Sequence, residues 1–153
     1  MPRAILLTLL FLLSWILYLD RAAISTAKDL VAKDLGLSND AMGVVFGAFA
    51  LAYALGQIPA GWFADRFGPR LTLTIVVSAW SLFTALTGLA PEFATLVAIR
   101  FLFGLAEAGA FPASARAFYT WLPPELHGRA NGIIFSGSRL EIGRASCRER
   151  VCT

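Results

Sequence analysis

An all-α protein that crosses a lipid bilayer several times is the fold class this sequence predicts, and three observations predict it. Hydrophobic residues make up 58% of the 153 and charged ones 15%, a balance too apolar for an ordinary water-soluble domain. The mean hydropathy of +0.69 has the same sense. The apolar residues are also gathered into long runs, and ~20 residues are what a helix rising ~1.5 Å per residue needs to cross ~30 Å of hydrocarbon.

The first run extends from Ala4 to about Thr26, the second from Ala41 to Phe63, the third from Leu71 to Ala90 and the fourth from Phe93 to about Tyr119. A fifth begins near Ala130 and is incomplete at Leu140. Arg3 ahead of the first run, with Arg21-Ala22-Ala23 behind it, loosely suits a cleaved signal peptide. The run is longer than the ~7 to 15 apolar residues of such a peptide, and further spans follow it, so it is read as a transmembrane helix.

Short loops set the orientation. With the amino terminus in the cytoplasm, the inside segments hold Arg3, Arg66, Arg70, Arg116 and Arg129, and the outside ones only Lys28 and Lys33. The positive-inside rule then predicts a cytoplasmic amino terminus in a multi-pass protein of the cell inner membrane. That asymmetry accounts for the formal net charge of +3. No basic run interleaved with aromatics supports nucleic acid as a partner; the partner is the bilayer. Cys147 and Cys152 both lie in the last seven residues, so the membrane region has neither a disulfide framework nor a thiolate metal site. No nucleophile-base pair, phosphate-cradling glycine loop or metal cluster points to an enzyme or a cofactor.

From Glu141 the chain reads EIGRASCRERVCT, polar and arginine-rich where the fifth span should continue. No helix crosses a membrane cheaply through such a stretch. Residues 141–153 are set apart from the fold on this ground, and Glu141 to Val151 resembles the read-through translation of a short-read sequencing adaptor. The fold expectation therefore covers residues 1–140, the first part of a six-helix domain, and a chain so short is expected to transport nothing by itself.

Between spans two and three the sequence is Gly61-Trp62-Phe63-Ala64-Asp65-Arg66-Phe67-Gly68-Pro69-Arg70. Mechanically this is a tight cytoplasmic turn: Gly68 can take a positive φ, Pro69 pre-sets the next helix, and the charges hold the turn at the interface. Four ionisable residues fall inside spans, Asp20 and Arg21 in the first and Arg100 and Glu107 in the fourth. Each costs ~2.5 to 3.5 kcal/mol on insertion scales and so marks a functional position.

At ~1.5 Å per residue, Asp20 and Arg100 both lie about 10 to 12 Å below the outer surface, close enough in depth to pair. Glu107 follows Arg100 by seven residues, about two turns, which puts both on one face with Gly104 between them. Desolvation and a neighbouring guanidinium act oppositely on a carboxylate's charge, and that competition lets proton occupancy respond to an arriving anion. Arginine suits the anion, since its planar fork meets a carboxylate in two parallel hydrogen bonds. The plainer alternative is a set of buried ion pairs that fixes helix register. Spans one and four are equivalent positions where inverted three-helix repeats line a midplane cavity, which favours the functional reading.

The G-x-x-x-D-R-x-G-x-R pattern of Gly61, Asp65, Arg66, Gly68 and Arg70 resembles the signature loop of the major facilitator superfamily. The runs Tyr18-Leu19-Asp20-Arg21, Arg100 to Ala113 (RFLFGLAEAGAFPA) and Trp121-Leu122-Pro123-Pro124-Glu125 closely resemble its anion:cation symporter family, which includes hexuronate, galactonate and phthalate transporters. The resemblance implies a twelve-span fold and proton-coupled transport of a small organic anion. It implies that Arg21 and Arg100 hold the substrate carboxylate, that Asp20 and Glu107 carry protons, and that the signature loop's Asp65 and Arg66 help shut the cytoplasmic side. Tyr53 and Gln57, four residues apart on span two, would hydrogen-bond a polyhydroxylated anion, or else a neighbouring helix. The chain departs from the family at Thr72, often basic, and at Glu125-Leu126-His127-Gly128-Arg129, often Glu-Arg-Gly-Arg.

The rivals are an organophosphate:phosphate antiporter of the same superfamily, against which Asp20 and Glu107 argue, and a non-transporting membrane sensor on the same fold. Smaller expectations are close helix packing at Gly43 and Gly47, kinks at Pro59 and Pro112, and a solvated His127 in a cytoplasmic loop.

Overall fold

In the computed structural model, residues 3–136 are described, and no strand occurs among them. The helices are α1 (Arg3–Asp34), α2 (Asn39–Phe67), α3 (Pro69–Thr87), α4 (Phe93–Glu107) and α5 (Ala110–Trp121), followed by a 3₁₀ turn over Pro124–Leu126. A further helical stretch occupies 127–136, so the expected fifth span starts a few residues before Ala130. Four segments are long and apolar enough to cross a membrane: Ala4–Asp34, Asn39–Phe67, Pro69–Thr87 and Phe93–Trp121. The chain divides into two compact units, Met1–Thr26 with Phe118–Thr153, and Ala27–Ala117. The region from Glu141 onward, with both cysteines, lies outside the described residues.

Helix ends differ from the apolar runs for local reasons. α1 continues past Thr26 and carries Lys28 and Lys33 on its last turns. It stops because Gly36 takes φ 62°, which lets Leu37 N–H donate to the Ala32 carbonyl at 2.8 Å and satisfy a helix-end acceptor. α2 starts at Asn39, where the Ser38 hydroxyl accepts a hydrogen bond from Ala41 N–H at 3.2 Å and Asp40 sits in the first turn. It ends at Gly68, whose φ is 83° and whose N–H bonds to Ala64 carbonyl, and Pro69 opens α3. The glycine and proline of the turn do what their chemistry suggests.

The two interior prolines behave differently. Pro59 lies inside α2 without ending it. Pro112 offers no N–H to the Ala108 carbonyl four residues back, and the fourth span is interrupted at 108–109 before α5 resumes. Ala113 N–H donates to Gly109 carbonyl at 3.0 Å, restoring the ladder.

Within the unit of residues 27–117, α4 packs between α2 and α3. Glycines set how closely: a Cβ on Gly56 would stand 2.8 Å from Ala108 Cβ, and one on Gly109 2.7 Å from Val76 Cγ2. The expectation for Gly43 and Gly47 is not met, since nothing lies within 4 Å of a Cβ built on either. Small residues permit close approach only where another helix arrives, and the helix arrives lower down. Toward the other end, Met42, Val45 and Leu96 form an apolar cluster with Val31, Leu35, Leu37, Phe46 and Phe93 packed on it. In the other unit, the buried Ser14 hydroxyl donates to the Ile134 carbonyl at 2.8 Å, an interhelical bond invisible to hydropathy.

Candidate functional site

α4 positions the two charges of span four. Its buried residues are Leu96, Arg100, Phe103, Gly104 and Glu107, a stripe that follows the ~3.6-residue repeat and turns one face wholly inward. Arg100 is 6% exposed and Glu107 is fully buried. Of the window that defines the fourth span, 44% is buried, against 17–22% in the other three spans, so these charges occupy the most enclosed helix described.

What presses α4 into place is Gly104. A Cβ there would lie 2.5 Å from the Phe49 carbonyl oxygen and 3.1 Å from Tyr53 N, a separation no side chain tolerates, so the backbones of α2 and α4 meet at this point. The contact brings rings together as well. The Arg100 guanidinium carbon sits 4.9 Å from the Phe103 ring centroid, Phe103 meets Phe49 at 5.7 Å between centroids, and Phe49 stacks on Tyr53 at 5.9 Å. Arg100, Glu107, Tyr53 and Gln57 thus belong to one compact unit, with Tyr53 and Gln57 half-buried on α2. Asp20 and Arg21 belong to the other unit, both half-buried on α1, with Arg21 5.5 Å from the Tyr18 ring centroid.

The α2–α3 turn is exposed. Asp65 Oδ1 lies 3.4 Å from Arg116 Nε on α5, a partner within the same unit that spacing alone does not reveal. Arg66 stacks over Trp62 at 5.7 Å and over Phe67 at 5.9 Å. His127 corrects the expectation of a solvated loop histidine. It is half-buried, its Nε2–H donates to the Leu122 carbonyl at 2.9 Å, and its ring meets Tyr119 edge-on at 4.5 Å. The donation covers an acceptor just beyond the end of α5, which a residue five positions on, at the start of the next helical stretch, is well placed to do. No cluster of potential metal ligands occurs among the described residues.

The sequence profile described as Major Facilitator Superfamily matches residues 10–141. The chain belongs to the major facilitator superfamily. Among similar proteins, a probable sulfoacetate transporter of Cupriavidus necator is 43% identical over 138 residues, 90% of this chain and 32% of that protein. A probable galactarate/D-glucarate transporter of Pseudomonas putida is 44% identical over 140 residues, 88% of this chain and 31% of that one. A D-galactonate transporter of Escherichia coli is 38% identical over 143 residues, 94% of this chain and 33% of that one.

Among solved structures, a bacterial homolog of the human lysosomal transporter Spinster, inward-facing and occupied, superposes with a TM-score of 0.85 at 30% identity. That match covers 91% of this chain and 30% of the other. The chain therefore spans about a third of the length of the relatives it matches. It is a multi-pass membrane protein of the facilitator fold.

Sequence reasoning missed Phe49, Phe103 and Arg116. Phe103 carries a usable signal, three residues beyond Arg100 and hence on the same face. Phe49 carries a partial one, four residues before Tyr53 on the same helix, while its contact with Phe103 and the Arg116 pair carry none, because those partners lie on other helices.

Proposed function

We propose that the full-length facilitator carries a small organic anion bearing a carboxylate across the cell inner membrane by proton symport, with its amino terminus in the cytoplasm, and that it is not an enzyme. The observation that supports this most is the buried stripe on α4, where a guanidinium and a carboxylate seven residues apart flank a glycine seated on α2. A charge so enclosed is retained for binding or proton transfer far more readily than for stability. Arg100 and Arg21 hold the carboxylate, Glu107 and Asp20 exchange protons, and Tyr53 with Gln57 meet hydroxyl groups of the substrate. The turn of Gly61, Asp65, Arg66, Gly68 and Arg70 gates the cytoplasmic side. The similar proteins named for sulfoacetate, galactarate/D-glucarate and D-galactonate all concern small carboxylate anions, which suits this chemistry.

The test is uptake by proteoliposomes of the full-length protein with an acidic exterior. Labelled D-galactonate, galactarate, D-glucarate and sulfoacetate are offered in turn, with and without a protonophore. Uphill accumulation of at least one anion that collapses with the protonophore is expected. Accumulation indifferent to the protonophore removes the symport assignment, and no uptake of any of them removes the substrate class.

A further inference from the structure

We infer that Phe103 is a positioning residue for Arg100, and that Phe49 ties it to Tyr53, so that an aromatic shelf fixes the anion seat. The inference rests on the transport reading above and gives Phe103 and Phe49 roles that neither the charge pattern nor the signature motifs assign.

An arginine side chain is long and has several rotors, and each must be settled before two N–H groups can meet a carboxylate together. Freezing them at the moment of binding costs affinity, and freezing them beforehand does not. The Phe103 ring lies under the guanidinium at 4.9 Å, where the negative face of the ring attracts the cation. Phe103 is itself 1% exposed, so the ring has no freedom to leave. Its position is passed on by contact: Phe103 to Phe49 at 5.7 Å, tilted by 43°, and Phe49 to Tyr53 at 5.9 Å, tilted by 30°. Gly104 holds the two helices close enough for these rings to touch, since a Cβ there would collide with the Phe49 carbonyl.

The geometry also bears on what binds. An arginine meets a carboxylate through the edge of its guanidinium, where the paired N–H groups lie. The edge is the part that forms two parallel bonds to a carboxylate. Tyr53 is joined to the same row of rings through Phe49, so the shelf links the arginine to a hydroxyl-bearing ring on the neighbouring helix.

The experiment replaces Phe103 in the full-length transporter with mono-, di- and trifluorinated phenylalanine. Fluorine drains the ring face of negative charge and leaves its shape nearly unchanged, so folding is kept. Affinity for D-galactonate should fall stepwise with fluorine number, and Phe103→Leu should weaken it between about 3-fold and 30-fold. Affinity independent of fluorination overturns the positioning role. A second measurement does not depend on transport: the guanidinium protons of Arg100, followed by ¹H–¹⁵N spectroscopy, should lose ring shielding in Phe103→Leu, and unchanged resonances overturn the shelf itself. If the unfluorinated protein binds none of the four anions while the Arg100 signal shifts as expected, the substrate assignment fails and the shelf stands.

Discussion

Spans one and four each offer an acid and an arginine as candidate site residues, Asp20 with Arg21 and Glu107 with Arg100, and the two pairs are built differently. In α4, Arg100 and Glu107 are seven residues apart on one buried stripe, with a glycine locked onto the neighbouring helix between them. In α1, Asp20 and Arg21 are adjacent, about 100° apart around the helix, and half-buried. Arg21 leans on Tyr18 of its own helix at 5.5 Å, and among the described residues no glycine contact pins that stretch. Span four presents charges whose places are settled by backbone packing. Span one presents charges that are less enclosed.

The sharpest way to break the comparison is Glu107→Gln in the full-length protein. It should abolish proton-driven accumulation and leave counterflow exchange measurable, whereas retained uphill uptake would remove Glu107 from the coupling. Paired lysine variants come next. Arg100→Lys keeps the charge and loses the fork and the stacked face, and should weaken anion binding by ~10-fold or more, while Arg21→Lys should have the smaller effect; equal losses in folded, purified variants would erase the contrast between the spans. Gly104→Ala should cost ~1 to 3 kcal/mol in thermal unfolding, because the added methyl overpacks the α2–α4 contact, with Gly43→Ala as the near-neutral control.

The smallest effect is expected at the turn. The Asp65–Arg116 pair is largely open to solvent, so a double-mutant cycle with Asp65→Asn and Arg116→Gln should yield a coupling of about 0.2 to 1 kcal/mol. A larger coupling would make the turn a built latch of this unit.

Hydropathy made the spans legible because a bilayer demands length and apolar content, and both can be read one residue at a time. The same rule made Arg100 and Glu107 stand out, since ionisable residues are rare at that depth, and their seven-residue spacing placed them on one face before any neighbour was known. The ends of α1 and α2 were not legible from hydropathy, because Gly36 and Ser38 act through backbone hydrogen bonds. Glycine packing was legible in kind and misplaced in position: Gly43 and Gly47 have the small-residue spacing, yet contact is made at Gly56, Gly104 and Gly109. What decides among them is which helix passes by, a tertiary fact. The contact of Phe49 with Phe103 and the pairing of Arg116 with Asp65 were hidden for the same reason.

The bond between Ser14 and the Ile134 carbonyl has a consequence in time. The two residues are 120 positions apart, and ribosomes add ~5 to 20 residues per second. Span one thus waits roughly 6 to 24 s during synthesis before its serine can meet that partner. For that interval the hydroxyl must turn back on its own helix, to a carbonyl one turn earlier. Exchanging that local bond for the distant one is a late event in assembly, available only after the helical stretch over 127–136 has been made. A Ser14→Ala variant would lose the late step and keep the early one, so its defect should be confined to how firmly span one is retained once the later helices have arrived.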